Sequence, residues 1–363
     1  MSYPAEPSGL RKLLIALLIA VCATSAPGAA HWLPFGPDGS LQVSAIRADR
    51  SDSQLLYLAS NRGVFVSHDG GGHWDQVSNG LHGNAVLALA QAVNGTWVAG
   101  TNRGIFLLAP NANAWRLSDT VINEQGTPRV IQVKGVTRRV MAHHPTRTVL
   151  QARINDIEIA PNRWLAATVA GIFSSSDQGK IWSGGSVNGE KEFIAIKARK
   201  ELVVAATRFR VLVSIDGGTV WKQTSFCSTP TNIYDMIITA DSRIFVATRD
   251  GAFRSADGGK SWGHLTNGIP AREIRSITFD STRSRMLAYS DDSGLVFEST
   301  DKGENWRRLD DAGLGIQSIT AMNGRIFAAS VSGMLASPEK DKDLEQTSRE
   351  RGNWFLRLVH HSD

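Results

Sequence analysis

The sequence predicts an all-β fold, a seven-bladed β-propeller of four-stranded antiparallel blades, on three observations. One short pattern, Ser-x-Asp-x-Gly-x-x-Trp, recurs five times; each copy follows a short apolar strand; and seven inner-strand starts can be placed along the chain. The composition agrees, because 34 glycines and 10 tryptophans in 363 residues suit many short strands joined by tight turns.

The five copies are Ser67-Asp69-Gly71-Trp74, Ser175-Asp177-Gly179-Trp182, Ser214-Asp216-Gly218-Trp221, Ser255-Asp257-Gly259-Trp262 and Ser299-Asp301-Gly303-Trp306. In each, the carboxylate can accept hydrogen bonds from amides of the following turn and glycine supplies a positive φ. Trp then opens the next strand with a large surface to wedge between sheets. Ahead of each corner lies an apolar strand such as Gly63-Val64-Phe65-Val66 or Gly251-Ala252-Phe253-Arg254. Upstream of that is a second strand, for example Leu56-Tyr57-Leu58-Ala59, Leu202-Val203-Val204-Ala205 or Ile244-Phe245-Val246-Ala247. Before it comes an inner strand that sets small residues between apolar ones, as in Val43-Ser44-Ala45-Ile46 and Ile274-Arg275-Ser276-Ile277. Four strands in a unit of about 40 residues make one propeller blade.

Two degenerate copies complete the count. Gly104-Ile105-Phe106-Leu107 leads to Trp115 with Pro110 in place of the aspartate, and Gly333-Met334-Leu335-Ala336-Ser337 leads to Glu339. Inner strands then start at Val43, Val86, Ile154, Phe193, Ile233, Ile274 and Ile316. The segment Trp32-Leu33-Pro34-Phe35 has the character of an outermost strand and is expected to complete blade 7, so that the two ends of the ring join. The segment around Trp354 competes for that position, but the polar stretch from Glu339 to Gly352 reads as a loose tail.

The N-terminus reads as a targeting segment. Arg11 and Lys12 precede 11 apolar residues, Leu13 to Ala23, about half of the roughly 20 that a membrane-spanning helix needs, and small residues follow to Ala30. The expected plan is a signal peptide over 1–30, the propeller over 31–338 and a C-terminal tail over 339–363. A membrane is expected only through an uncleaved signal segment. Without residues 1–30, 37 basic residues face 33 acidic ones, a mild excess and not the basic stripe of a nucleic-acid binder. Cys227 is then the one remaining cysteine, read as a buried small hydrophobe, so internal disulfides cannot hold the domain. Export with almost no cysteine points to a secreted or periplasmic protein of a bacterial envelope, expected as a monomer.

In a four-stranded meander the Ser-Asp-Gly-Trp corners share one face, and the loops between second and third strands share the other. On that second face lie Asn61-Arg62, Asn102-Arg103, Arg208-Phe209-Arg210 and Arg249-Asp250. The large insertion between Trp115 and Ile154 adds Arg129, Arg138, Arg139 and Arg147, and its alternating stretches Val130 to Val133 and Arg139 to Ala142 are expected to form a hairpin over the rim. Grouped arginines grip carboxylates or phosphates bidentately. This face is therefore the expected docking surface for a protein partner or acidic ligand, set against the plainer reading of a solvated, charged loop face.

Other constellations are weaker. Asp156 and Asp235 share one slot of the inner strands, held elsewhere by Ala45, Ala88, Ala195, Ser276 and Ser318. Two carboxylates across a channel are the equipment of a glycosidase, but they read better as water-bridged residues of a wet channel. His143-His144 has no further ligand at metal-site spacing. No metal and no cofactor is expected, and the corner aspartates read as structural.

The five corners resemble the Asp-box, or BNR, repeat family, whose members are β-propellers. Over nearly all of the mature chain the sequence is similar to the exported seven-bladed propellers of the photosystem II stability and assembly factor type. That resemblance implies a non-catalytic scaffold with an arginine-bearing face. Asp boxes also occur in sialidases and xyloglucan-cleaving enzymes, so a glycoside hydrolase is the alternative. The sialidase plan needs an arginine triad and a Tyr–Glu pair. Of Tyr57, Tyr234 and Tyr289 none has an evident Glu partner in the sequence, and the family's Arg-Ile-Pro signature is absent near Ile46-Arg47-Ala48. Xyloglucan-cleaving enzymes resemble two propellers in tandem. Sorting-receptor-like binders carry a cysteine-rich module and a membrane span, which this chain lacks.

Overall fold

The structure is a computed structural model that describes residues 32–338 except 124–126, 134–135, 143–144 and 227–230, with the backbone alone over 119–149. The expected signal segment, the tail with Trp354, His143-His144 and Cys227 lie outside the described residues.

Short strands with buried second and third members form seven antiparallel blades. Blade 1 runs outward through Val43–Ala48, Leu56–Ser60, Gly63–Ser67 and Asp75–Gln76. The inner strands begin at the seven residues expected. Each pair of neighbouring blades shares one apolar cluster. Between blades 3 and 4 it holds Leu165, Ile172, Phe193 and Leu212, and between blades 6 and 7 it holds Leu287, Val296, Ile316 and Ile326. The interface of blade 7 with blade 1 is built in the same way from Phe327, Met334, Val43 and Leu58, so the ring closes on packed side chains.

Closure follows the expected route. Leu33–Phe35 is the outermost strand of blade 7, antiparallel to Gly333–Ala336, with Leu33 opposite Ala336 and Phe35 opposite Met334. Phe35 packs on Phe327 and against the edge of Trp74 from the first corner. Blade 3 departs from the expected four strands. The insertion contributes Asp119–Asn123, which runs parallel to the outer strand Ile181–Gly185, and Pro145–Val149 beyond it, giving a six-stranded sheet. The expected hairpin is present as Thr127–Val133 paired with Val136–Ala142.

All five corners have one geometry. The serine hydroxyl accepts the glycine amide, at 2.7 Å in the first (Gly71 to Ser67) and 2.9 Å in the last (Gly303 to Ser299). The aspartate accepts the amide four residues on, from His73, Ile181, Val220, Ser261 and Asn305, each at 2.9 Å. The indoles of Trp74, Trp182, Trp221 and Trp306 then donate to the corner glycine carbonyl. Trp262 differs: it packs edge-on against Phe226 and its buried Nε1 has no hydrogen-bond partner among the described residues.

Blade 6 carries a buried ion cluster. Arg285, 7% exposed, donates to Asp280 at 3.0 Å and to Glu298 at 2.5 Å, and Arg307 closes on the other Glu298 oxygen. Removing Arg285 leaves the buried Asp280 carboxylate without its cation. Arg285→Ala is expected to lower the unfolding free energy by about 3–5 kcal/mol, read by urea denaturation, whereas Arg307→Ala at the exposed end costs much less.

Candidate functional site: an arginine face and an axial cavity

The turns opposite the corners are set by a second repeat. The last residue of each second strand is a buried hydroxyl in blades 1, 2, 3, 5 and 7 that donates to a glycine carbonyl three residues on: Ser60 to Gly63, Thr101 to Gly104, Thr168 to Gly171, Thr248 to Gly251 and Ser330 to Gly333. The same oxygen accepts the amide two residues on, from Arg62 at 3.1 Å and Arg103 at 3.0 Å. Such side-chain-to-backbone bonds fix a tight turn. Here they hold the arginines at the turn tips while the glycine takes positive φ, +107° at Gly63.

The five expected turn arginines, Arg62, Arg103, Arg208, Arg210 and Arg249, are all exposed on this face, but they are not equivalent. Arg210 is paired with Glu190 at 2.8 Å, and Arg249 stands 3.8 Å from Glu273. Arg208 donates to Asn232 and lies over the ring of Phe209. Arg210 and Arg249 thus face carboxylates of their own surface. Arg62, Arg103 and Arg208 have no ion pair among the described residues, and Arg62 and Arg103 also lack the neutral side-chain contacts of Arg208. Of the insertion arginines, Arg129, Arg138 and Arg139 fall on the two hairpin strands and Arg147 on the outermost strand of blade 3. The insertion thus extends the rim of blade 3 as ordered sheet.

The other face bears the five corners. Their carboxylates are committed: the amide and side chain of Asn305 hold Asp301 down to about 2, and the ring and amide of His73 hold Asp69 well below the usual range. Among the described residues no group of three His, Cys, Asp or Glu side chains is placed to hold a metal ion.

The axis holds a cavity of about 320 Å³ lined by the inner strands. An innermost strand is laddered on one side only, and here every inner strand has a β-bulge at the same place, between Val43 and Ala45 in blade 1 and between Ile316 and Ser318 in blade 7. A bulge turns the extra residue out of the ladder, and several of these side chains reach the next blade: Ser44 donates to the Val86 carbonyl and Asn155 to that of Phe193. The slot residue after the bulge binds the next blade too. Asp156 accepts the Ile196 amide at 3.0 Å and the Lys197 ammonium; Asp235 accepts the Ile277 amide at 3.1 Å and the Ser276 hydroxyl at 2.8 Å; Ser276 accepts the Ile319 amide. The two aspartates are therefore direct inter-blade links that also line the axial cavity.

Burial pushes the Asp235 carboxyl up against the opposing field of Lys197, and burial likewise pushes Glu158 up. Burial works to lower the Lys197 ammonium, but Asp156 and Glu158 outweigh it and the net shift is upward.

One expectation is corrected. Tyr234 does have a glutamate: its hydroxyl donates to Glu273 at 3.2 Å, and the Arg275 guanidinium lies 4.7 Å over its ring. The pair joins the bulged residue of blade 5 to the residue preceding blade 6's inner strand, 39 positions away, which no local pattern announces. Burial and the Glu273 charge raise the Tyr234 phenol, the direction opposite to activation of a nucleophile.

A carboxyl raised in the folded state favours folding most below its unfolded value, here about 3.8, and costs stability as pH rises through the raised value. Asp235→Asn retains an acceptor for Ile277 and removes that charge. It is expected to flatten the loss of stability between pH 4 and pH 8 in urea titrations. Asp156→Asn, which breaks the Lys197 pair, is expected to destabilise at pH 7.

No family model and no curated protein matches the chain. Solved structures do. The extracellular domain of the one-component system BT4673 from B. thetaiotaomicron matches with a TM-score of 0.60 and 12% identity over 85% of this chain, and this chain spans only 39% of that one. YCF48 from Cyanidioschyzon merolae matches with a TM-score of 0.62 and 14% identity over 86% of this chain and 100% of the other; YCF48 bound to a D1 peptide gives 0.61, 16%, 85% and 97%. The GH74 enzyme of Niastella koreensis matches with 0.55 and 15% over 84% of this chain and 44% of the enzyme. At these identities the likeness is one of fold, shared by binding proteins and enzymes alike. Among the described residues no helix is long and apolar enough to cross a membrane.

Proposed function

We propose that this chain is an exported, non-catalytic docking scaffold of the Asp-box type, which holds an acidic protein or peptide partner on its arginine-bearing turn face. One observation carries the reading: Arg62 and Arg103 stand exposed at the tips of pinned turns with no described carboxylate partner. The hydroxyl bonds fix the backbone of each turn, so the arginines are presented at a defined place on the face for bidentate contact with a carboxylate. A propeller of like fold, YCF48, has been solved with a peptide bound, which supports a protein partner as the kind of ligand. Export rests on the basic and apolar pattern of residues 1–30.

A glycoside hydrolase is the second reading, favoured by the Tyr234–Glu273 pair and by the GH74 likeness. Against it, Asp156 and Asp235 are occupied by neighbouring strands, and the Tyr234 phenol is raised. Hydrolysis of sialosides or β-glucans that vanishes in Tyr234→Phe or Asp235→Ala would establish it.

The docking reading is tested by affinity capture from the native envelope. Arg62→Glu with Arg103→Glu is expected to reduce partner capture at least tenfold, and added salt is expected to weaken the wild-type interaction. Arg210→Glu, at a position already neutralised by Glu190, is expected to have the smaller effect. Unchanged capture in the double variant counts against the proposal.

A further inference from the structure

The ring-closing seam leaves a hollow on the arginine face. After Phe35 the chain turns through Gly36-Pro37-Asp38-Gly39 before entering blade 1. That turn, the linker from blade 6 to blade 7 and the Val331-Ser332 turn enclose a cavity of about 590 Å³. Its walls include Pro34, Pro37, Leu41, Leu314, Val331 and Leu335, and Asp38 is the one charged lining side chain.

Two observations set this hollow apart. Linkers between blades turn an apolar side chain inward: Leu81 before blade 2, Ile269 before blade 6 and Ala312 before blade 7 are buried. Leu314, in the linker before blade 7, is instead 72% exposed, and Val331 across the cavity is 60% exposed. Paired exposed aliphatics at the rim of one hollow mark a contact surface rather than scattered surface residues. The second observation is charge. The Arg62 guanidinium lies against the same turn, with one nitrogen 3.7 Å from where a side chain on Gly39 would begin. It makes no ion pair with Asp38 or any other described carboxylate. A cavity with aliphatic side chains among its walls and a guanidinium with no described ion pair thus meet at one loop.

We infer that the seam cavity is the apolar half of the docking site, and that it takes a large aliphatic side chain of an extended peptide whose neighbouring carboxylate is held by Arg62. The inference rests on the docking reading above and narrows it from an acidic partner to one in which an acid stands beside a leucine-like residue. Charge complementarity with Arg62, beside the same turn, selects this occupant over a purely apolar one.

The test measures binding of a fluorescein-labelled peptide, Gly-Ser-Leu-Glu-Leu-Ser-Gly, to the full chain by anisotropy. It is compared with versions carrying alanine for both leucines or glutamine for the glutamate. The parent peptide is expected to bind at least tenfold more tightly than either. Leu314→Ser with Val331→Ser, two exposed positions that leave the core intact, is expected to remove the advantage of leucine over alanine while leaving the advantage of glutamate over glutamine. Arg62→Ala is expected to do the reverse. If the leucine and alanine peptides bind alike, or the double serine variant binds like the wild type, the cavity assignment is wrong, and the docking reading stands or falls separately on the envelope capture with Arg62→Glu and Arg103→Glu. A dimer that the double serine variant dissolves, or tighter binding of a peptide of residues 353–359, gives the cavity to a second copy or to the chain's own C-terminal segment and equally overturns the assignment.

Discussion

An innermost propeller strand has a neighbour on one side and a channel on the other, so half of its amides and carbonyls lack a ladder partner. The seven bulges are how this chain meets that constraint. Each shifts the register by one residue, which frees side chains such as Ser44 and Asn155 to reach a carbonyl of the next blade. The following slot then presents Asp156, Asp235 or Ser276 to an amide of the next blade. Blade-to-blade contact is thereby polar at the axis and apolar outside it, where the shared clusters lie. The polar links fix the angle at which sheets meet, and the clusters supply the stabilising burial.

This arrangement separates stability from recognition. Carboxylates on the corner face are committed to their own turns, and those at the axis are committed to neighbouring strands. What remains chemically available is concentrated on the turn face, where hydroxyl-pinned loops carry arginine in blades 1 and 2 and aliphatic residues at the seam. Blades 4 and 5 carry arginines of the same kind, but Glu190 and Glu273 face Arg210 and Arg249, and Arg208 is held by the neutral Asn232 and the ring of Phe209. Residue type alone therefore overstates the size of the reactive surface.

The ring was legible because its determinants are local. A serine, an aspartate, a glycine and an indole within eight positions specify a corner, and repetition fixes the blade count and even the closing strand at Trp32. The hydroxyl-x-x-Gly turns at Ser60, Thr101, Thr168, Thr248 and Ser330 are an equally regular signal in the sequence. The bulges left no such mark, since the extra residues are as unlike as Ser44, Leu87 and Arg275. Tyr234 with Glu273 joins neighbouring blades, and pairings such as Arg210 with Glu190 or Arg285 with Glu298 depend on strand register that no local motif announces. The face was readable, then, and its electrostatic balance was not.

The three-residue ladder between Leu33 and Ala336 joins nearly the first and last described residues, and this has a kinetic consequence. Growing from its N-terminus, the chain can complete blades 1 to 6 from local segments in turn, but the seventh must wait until the whole ring has been synthesised. Bringing those distant ends together is the most non-local step in the molecule, and sequence separation of this kind slows folding. Until it happens, the apolar flanks of blades 1 and 7, with Leu58, Phe65 and Phe327, stay uncovered. A nearly finished ring is thus the most aggregation-prone species on the way to the native one. Late docking of a short strand marks the moment at which the protein becomes safe in solution.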